Sequence, residues 1–119
     1  MPDHKAERFS SDLQRVMSTM LGELKDPRIK DRMLTVVRCE VTRDRSSARI
    51  YVSSLNGIEE AKEAVKGLES ASGMIKRRIS DSLHIRKAPE LKFIADDSSE
   101  YSAHISKLLR EMDIKEDDN

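Results

Sequence analysis

The sequence predicts an α+β domain in which helices cover one face of a three-stranded sheet. Residues 4–25 place Phe9, Leu13, Val16, Met17, Met20, Leu21 and Leu24 at helical spacing. Residues 33–42 and 48–55 instead alternate and are rich in Val, Ile and Thr, the signature of strands. Helical periodicity then returns, and a short alternating run follows Pro89. The resulting order is α-β-β-α-(break)-α-β-α, which buries apolar stripes against one side of a small sheet.

The first helix has Asp3 as its N-cap, and Pro27 stops the pattern just beyond Lys25. Asp26-Pro27-Arg28-Ile29-Lys30-Asp31 is a turn-rich connection. In the first strand Val37, Cys39 and Val41 share a face, so Cys39 reads as a small core side chain. Arg43-Asp44-Arg45-Ser46 forms the hairpin loop. In the second strand Ala48, Ile50 and Val52 point inward, and Arg49, Tyr51 and Ser53 outward. Asn56-Gly57 turns into a helix over 59–71 with Ala61, Val65, Leu68 and Ala71 on one side.

That helix is expected to break at Gly73 and resume to Leu83, with Ile75, Ile79 and Leu83 on its apolar face. Arg77 points away from that face, flanked by Lys76 and Arg78. Gly73 lets a foreign backbone approach, and a restarted helix would aim its first amides outward at a phosphate. The three cations would crowd the first turn, where the macrodipole disfavours them until an anion binds. An unbroken helix with the cations as a solvated face fits the same residues. The strand Leu91–Ala95 follows. A last helix is expected over 99–112 from Tyr101, Ile105, Leu108, Leu109 and Met112, and an acidic, disordered tail over 113–119.

Composition narrows the function classes. Lys and Arg total 22 and Asp and Glu total 22, so the chain is no purely electrostatic nucleic-acid coat. The charge is nonetheless segregated. Residues 73–93 hold Lys76, Arg77, Arg78, Arg86, Lys87 and Lys92 against Asp81 and Glu90, whereas residues 94–119 are strongly acidic. The single Cys39 rules out a disulfide within the chain. No stretch approaches transmembrane length and no apolar leader opens the sequence, which reads as cytoplasmic. Phe9, Phe93, Tyr51 and Tyr101 are the aromatics, too few for a sheet that stacks many bases.

No catalytic constellation assembles. His4, His84 and His104 lie at no metal-ligand spacing with Cys39, and Walker, GxGxxG, GxSxG, HExxH and CxxC patterns are absent. Asp96-Asp97 are neighbours whose side chains point apart on a strand end. His84 shares a face with Arg77, as a phosphate contact or as an exposed helix residue. The chain is expected to be no enzyme and to need no cofactor or metal.

Three signatures occur in order: Asp26-Pro27-Arg28-Ile29 after the amphipathic helix, Ala71-Ser72-Gly73 at the interrupted one, and Leu83-His84-Ile85-Arg86-Lys87-Ala88-Pro89-Glu90-Leu91-Lys92-Phe93 followed by Asp96. Together they resemble the bacterial ribosome-binding factor A family over about residues 5–110. The resemblance implies a type II KH-like fold with an Ala-x-Gly helix-kink-helix in place of the GxxG loop. It implies a monomer that binds free or immature small ribosomal subunits and their rRNA near the decoding region. It further implies late maturation, processing of the rRNA 5′ end, growth in the cold and work beside assembly GTPases. On this basis Ala71, Ser72 and Gly73 set the RNA-facing bend. Lys76, Arg77 and Arg78 meet phosphates, Arg86 and Lys87 extend the patch, and Arg28, Arg43 and Arg45 are weaker candidates. Pro89 and Phe93 are expected to be structural. The competing reading is a protein-interaction adaptor working through Arg49, Tyr51 or the acidic tail.

Overall fold

A computed structural model describes residues 4–97, with side chains from Glu7 onward. The expected helix over 99–112, the tail over 113–119 and the boundary between them lie outside the described residues. The elements run α1 (His4–Leu21), β1 (Leu34–Val41), β2 (Ser47–Ser54), α2 (Ile58–Ser70), α3 (Ser72–Leu83) and β3 (Glu90–Ala95). β2 is the central strand, antiparallel to β1 and parallel to β3. Leu13, Met17 and Met20 from α1, Leu68 from α2, and Ile75 and Ile79 from α3 meet Ile50 and Val52 of β2 in one core. Burying these side chains removes apolar surface from water and is the main force holding the helices to the sheet. Phe93 joins that core and Pro89 is fully buried at the start of β3, the structural roles expected of them.

α1 ends four residues before Lys25. Gly22 lies just past its last residue, and the chain turns there through Gly22 N–H to Thr19 O and Glu23 N–H to Met20 O. A C-terminal glycine therefore stops the helix before Pro27 can act.

β1 departs from simple alternation. Its register with β2 shifts between Val36 and Arg38, leaving Val37 as a bulge. Val36, not Val37, enters the core, while Cys39 and Val41 stay on the inward side opposite Ile50 and Ala48. Gln14 of α1 donates its amide to Val36 O at 3.2 Å and reaches Val37 O at 3.5 Å. Those bonds satisfy the carbonyls that the bulge displaces on an edge strand.

α2 also turns a different side to the core. Ala61, Ala64, Gly67 and Leu68 are buried, with Val65 only partly so. The reason is the 26–29 turn. A Cβ on Gly67 would lie 3.0 Å from Ile29 Cδ1 and 3.3 Å from Asp26 Cγ, so the turn docks where α2 has no side chain. At the other end of α2, Gly57 takes φ 112°, a left-handed backbone that favours glycine. Glu60 binds Ser54, Asn56 Nδ2 and Arg32 Nη1, which ties the β2 exit to the start of β1. The Ser54 hydroxyl and the neighbouring donors hold its carboxyl below the usual glutamate range.

Candidate nucleic-acid interface

The break in the long helix is real, but it falls two residues before Gly73. Ala71 alone separates α2 from α3, at φ −92° and ψ 7°, in the sparsely used bridge region. Ser70 and Ser72 flank it, both weak helix formers, and Ser70 Oγ bonds back to Lys66 O, a pattern that bends helices. Gly73 sits inside α3, without a positive φ and with nothing within 4 Å of where a Cβ would be. The first ladder bond of α3 runs from Ile75 N–H to Ala71 O at 2.9 Å. Ala71 offers no side-chain cap to the amides before it, and the first turn holds no acidic residue.

Because α3 begins at Ser72, Lys76, Arg77 and Arg78 fall in its second turn and not its first. The expected conflict with the macrodipole is therefore weak, since that field fades beyond the terminal turn. The cations are also treated unequally. Lys76 Nζ bonds Glu90 Oε2 at 2.6 Å and lowers the pKa of that carboxyl. Arg78 pairs with Glu23 of the α1–turn junction. Arg77 is exposed and meets no carboxylate among the described residues. A groove of about 390 Å³ opens at the elbow, lined by Met20, Leu24, Lys25, Ala71, Met74 and Arg78 among others. Met74 lies on its rim, 52% exposed, a feature that helical periodicity did not single out.

The remaining candidates scatter. Arg28 is committed to the fold: its backbone N–H, Nε and Nη2 all donate to Asp26, at 2.8, 3.0 and 2.7 Å. These bonds depress the Asp26 carboxyl to about 2 and raise the Arg28 pKa. Arg28 Nη2 also reaches Ser70 Oγ at 3.3 Å, so this turn clamps the end of α2 beside the break. Arg86 and Lys87 are exposed between α3 and β3. Arg43 is exposed in the hairpin loop, whose Asp44 accepts from Thr42 and Ser46. Arg45 folds back over the Phe9 ring, 5.2 Å from its centroid. His84 is the left-handed residue that ends α3, at φ 55°, with its own N–H and that of Ile85 both donating to Ser80 O.

Away from this region, burial pushes the Cys39 thiol up to about 12, so it is inert at neutral pH. Among the described residues no cluster of His, Cys, Asp or Glu could hold a metal ion. No described helix is long and apolar enough to cross a membrane.

An α-β-β-α-α-β order with a broken helix pair laid on a mixed three-stranded sheet defines a KH-like domain. Two solved structures share the fold. A solution NMR structure of a Thermotoga maritima protein assigned as a ribosome binding factor A aligns at TM-score 0.71 and 34% identity, over 82% of this chain and 92% of its own. The crystal structure of ribosome-binding factor A from Thermus thermophilus aligns at 0.64 and 23% identity, over 76% and 93%. A sequence-family model described as "Ribosome-binding factor A" matches residues 5–109. The curated ribosome-binding factor A of Caldanaerobacter subterraneus is 40% identical over 98% of this chain and 95% of its own length. The chain belongs to the ribosome-binding factor A family.

Proposed function

We propose that this chain binds free or immature small ribosomal subunits and grips rRNA backbone at the elbow formed by Ala71, Ser72, Gly73 and the cations Lys76 to Arg78. The single observation that carries the reading is Gly73. It stands in a helix, in open space, at negative φ, where alanine would fit and hold the helix better. Something outside the chain must need that spot bare. Arg77 beside it is exposed, and the ion pairs of Lys76 and Arg78 are solvent-facing, hence weak enough to exchange for phosphate. A Thermus thermophilus relative has been fitted into a cryo-EM map of a 30S complex, which supports the small subunit as target. In this reading the protein is a monomeric, cytoplasmic, non-enzymatic factor. It acts late in subunit maturation, assists processing of the rRNA 5′ end, and works beside assembly GTPases.

The test is Arg77→Glu, then the same change with Lys76→Gln and Arg78→Gln, measured as affinity for purified small subunits against salt. Each lost phosphate contact should reduce the salt slope by about 0.7. Arg77→Glu should leave the melting temperature nearly unchanged. Undiminished binding by the triple variant would overturn the elbow as the contact.

A second reading, an adaptor for ribosomal proteins or an assembly GTPase, is favoured by one feature. Met33 and Leu55 are 58% and 56% exposed and adjacent, joined by Leu55 N–H to Met33 O at 3.2 Å. Naked rRNA competes with subunits for the protein under the first reading and not under this one.

A further inference from the structure

The outer face of the sheet, turned away from the elbow's helices, carries its own organised cations. Across the three strands the register sets Glu40, Arg49 and Lys92 in one row and Arg38, Tyr51 and Ile94 in the next. Arg38 reaches this position because the Val37 bulge brings it opposite Tyr51. Its guanidinium carbon lies over the Tyr51 ring, 4.1 Å from the centroid. Glu40 holds the pair in place: it accepts from Arg38 Nε at 3.2 Å and from the Tyr51 hydroxyl at 3.3 Å. Arg49 is held more loosely, 3.9 Å from Glu40. The side chains of Arg38 and Arg49 are 57% and 61% exposed, and Lys92 is exposed as well. A depression of about 490 Å³ opens beside them, with Glu40 and Arg49 in its lining.

Tyr51 alone could not make a stacking sheet, but the pair does something different. One face of the guanidinium is packed on the ring and the other is open to solvent, so a flat cation is presented already immobilised. Bases stack on guanidinium planes as they do on aromatic rings, and fixing the plane in advance lowers the ordering cost of binding. Arg49 and Lys92 flank the plane as phosphate contacts, three cations set against Glu40 and the Asp96 carboxylate near Arg38. An acidic protein would be served by the charges alone and has no use for a stacked plane.

The geometry points to a second RNA contact on the outer sheet face, in which an unpaired ribosomal RNA segment stacks a base on Arg38 and lays its backbone along Arg49 and Lys92. With the elbow on the helical side, the domain would bridge two RNA segments.

The experiment measures binding of an unstructured oligoadenylate and of purified small subunits in an Arg77→Glu background, where the elbow is weakened. Adding Arg38→Gln, Arg49→Gln and Lys92→Gln should weaken oligoadenylate binding about tenfold or more. The salt slope should fall by about 2, for three lost contacts. Arg38→Lys keeps the charge and removes the plane. It should lose affinity with little change in slope, provided an unchanged melting temperature shows the fold intact. Oligoadenylate binding that is indifferent to all of these changes overturns the proposal. So does a variant that loses the subunit but not the oligonucleotide, which would assign this face to a ribosomal protein. Failure of the elbow would show separately, as an Arg77→Glu protein that binds subunits like the wild type.

Discussion

Gly73 costs the fold stability that alanine would restore. Glycine in a helix is about 0.5–1 kcal/mol less favourable than alanine, and no neighbour lies within 4 Å to object to a methyl group. Gly73→Ala should therefore raise the unfolding free energy by about that amount. It should at the same time weaken small-subunit binding by about 1–3 kcal/mol, the usual cost of overpacking a close contact. Urea unfolding and a subunit-binding titration on the same variant check both halves. A protein that is stabilised and binds as before would remove Gly73 from the interface. His84 shows the opposite case. It occupies a left-handed position at the end of α3 and is placed there by backbone need, a role its proximity to Arg77 did not suggest.

At the scale of elements, the Asp26–Ile29 turn works as a clasp. Ile29 and Lys30 N–H both donate to Asp26 O at 2.8 Å, while the Asp26 side chain grips Arg28. The clasp packs on Gly67 and touches Ser70, so it fixes where α2 stops and the break begins. Its pH dependence has a definite sign. The folded Asp26 pKa is lowered from 3.8 to about 2, so the native state prefers the carboxylate. That contribution is fully present above about pH 4 and is lost as pH falls through about 2. Asp26→Asn should flatten stability against pH in this window, as measured by urea unfolding at successive pH values. Parallel curves for variant and parent would contradict the clasp.

Much at this scale was legible from periodicity. The apolar stripes of α1 and α3 and the inward set of β2 are local properties of spacing, and they hold. What spacing missed depends on partners distant in sequence. The bulge at Val37 is stabilised by Gln14, and the rotated face of α2 by the Ile29 turn. The break was anticipated, yet its residue was misplaced, because glycine is the obvious punctuation and Ala71 is not. The cationic triplet was visible as a run. That Glu90 and Glu23 take two of its members, leaving Arg77 exposed, was not.

For the molecule as a whole, formal neutrality hides an arrangement by face and by segment. Cations gather around the α2–α3 break and again on the outer sheet, and the chain beyond β3 is acidic. A neutral protein with such patches is steered to polyanions locally without coating them. Ultraviolet crosslinking of the protein to immature small subunits, with peptide and nucleotide both identified, tests the elbow most directly. We expect the peptide spanning Ala71–Arg78 to carry rRNA nucleotides. Crosslinks from that peptide to ribosomal proteins alone, or none from it on a fully occupied subunit, would contradict the account.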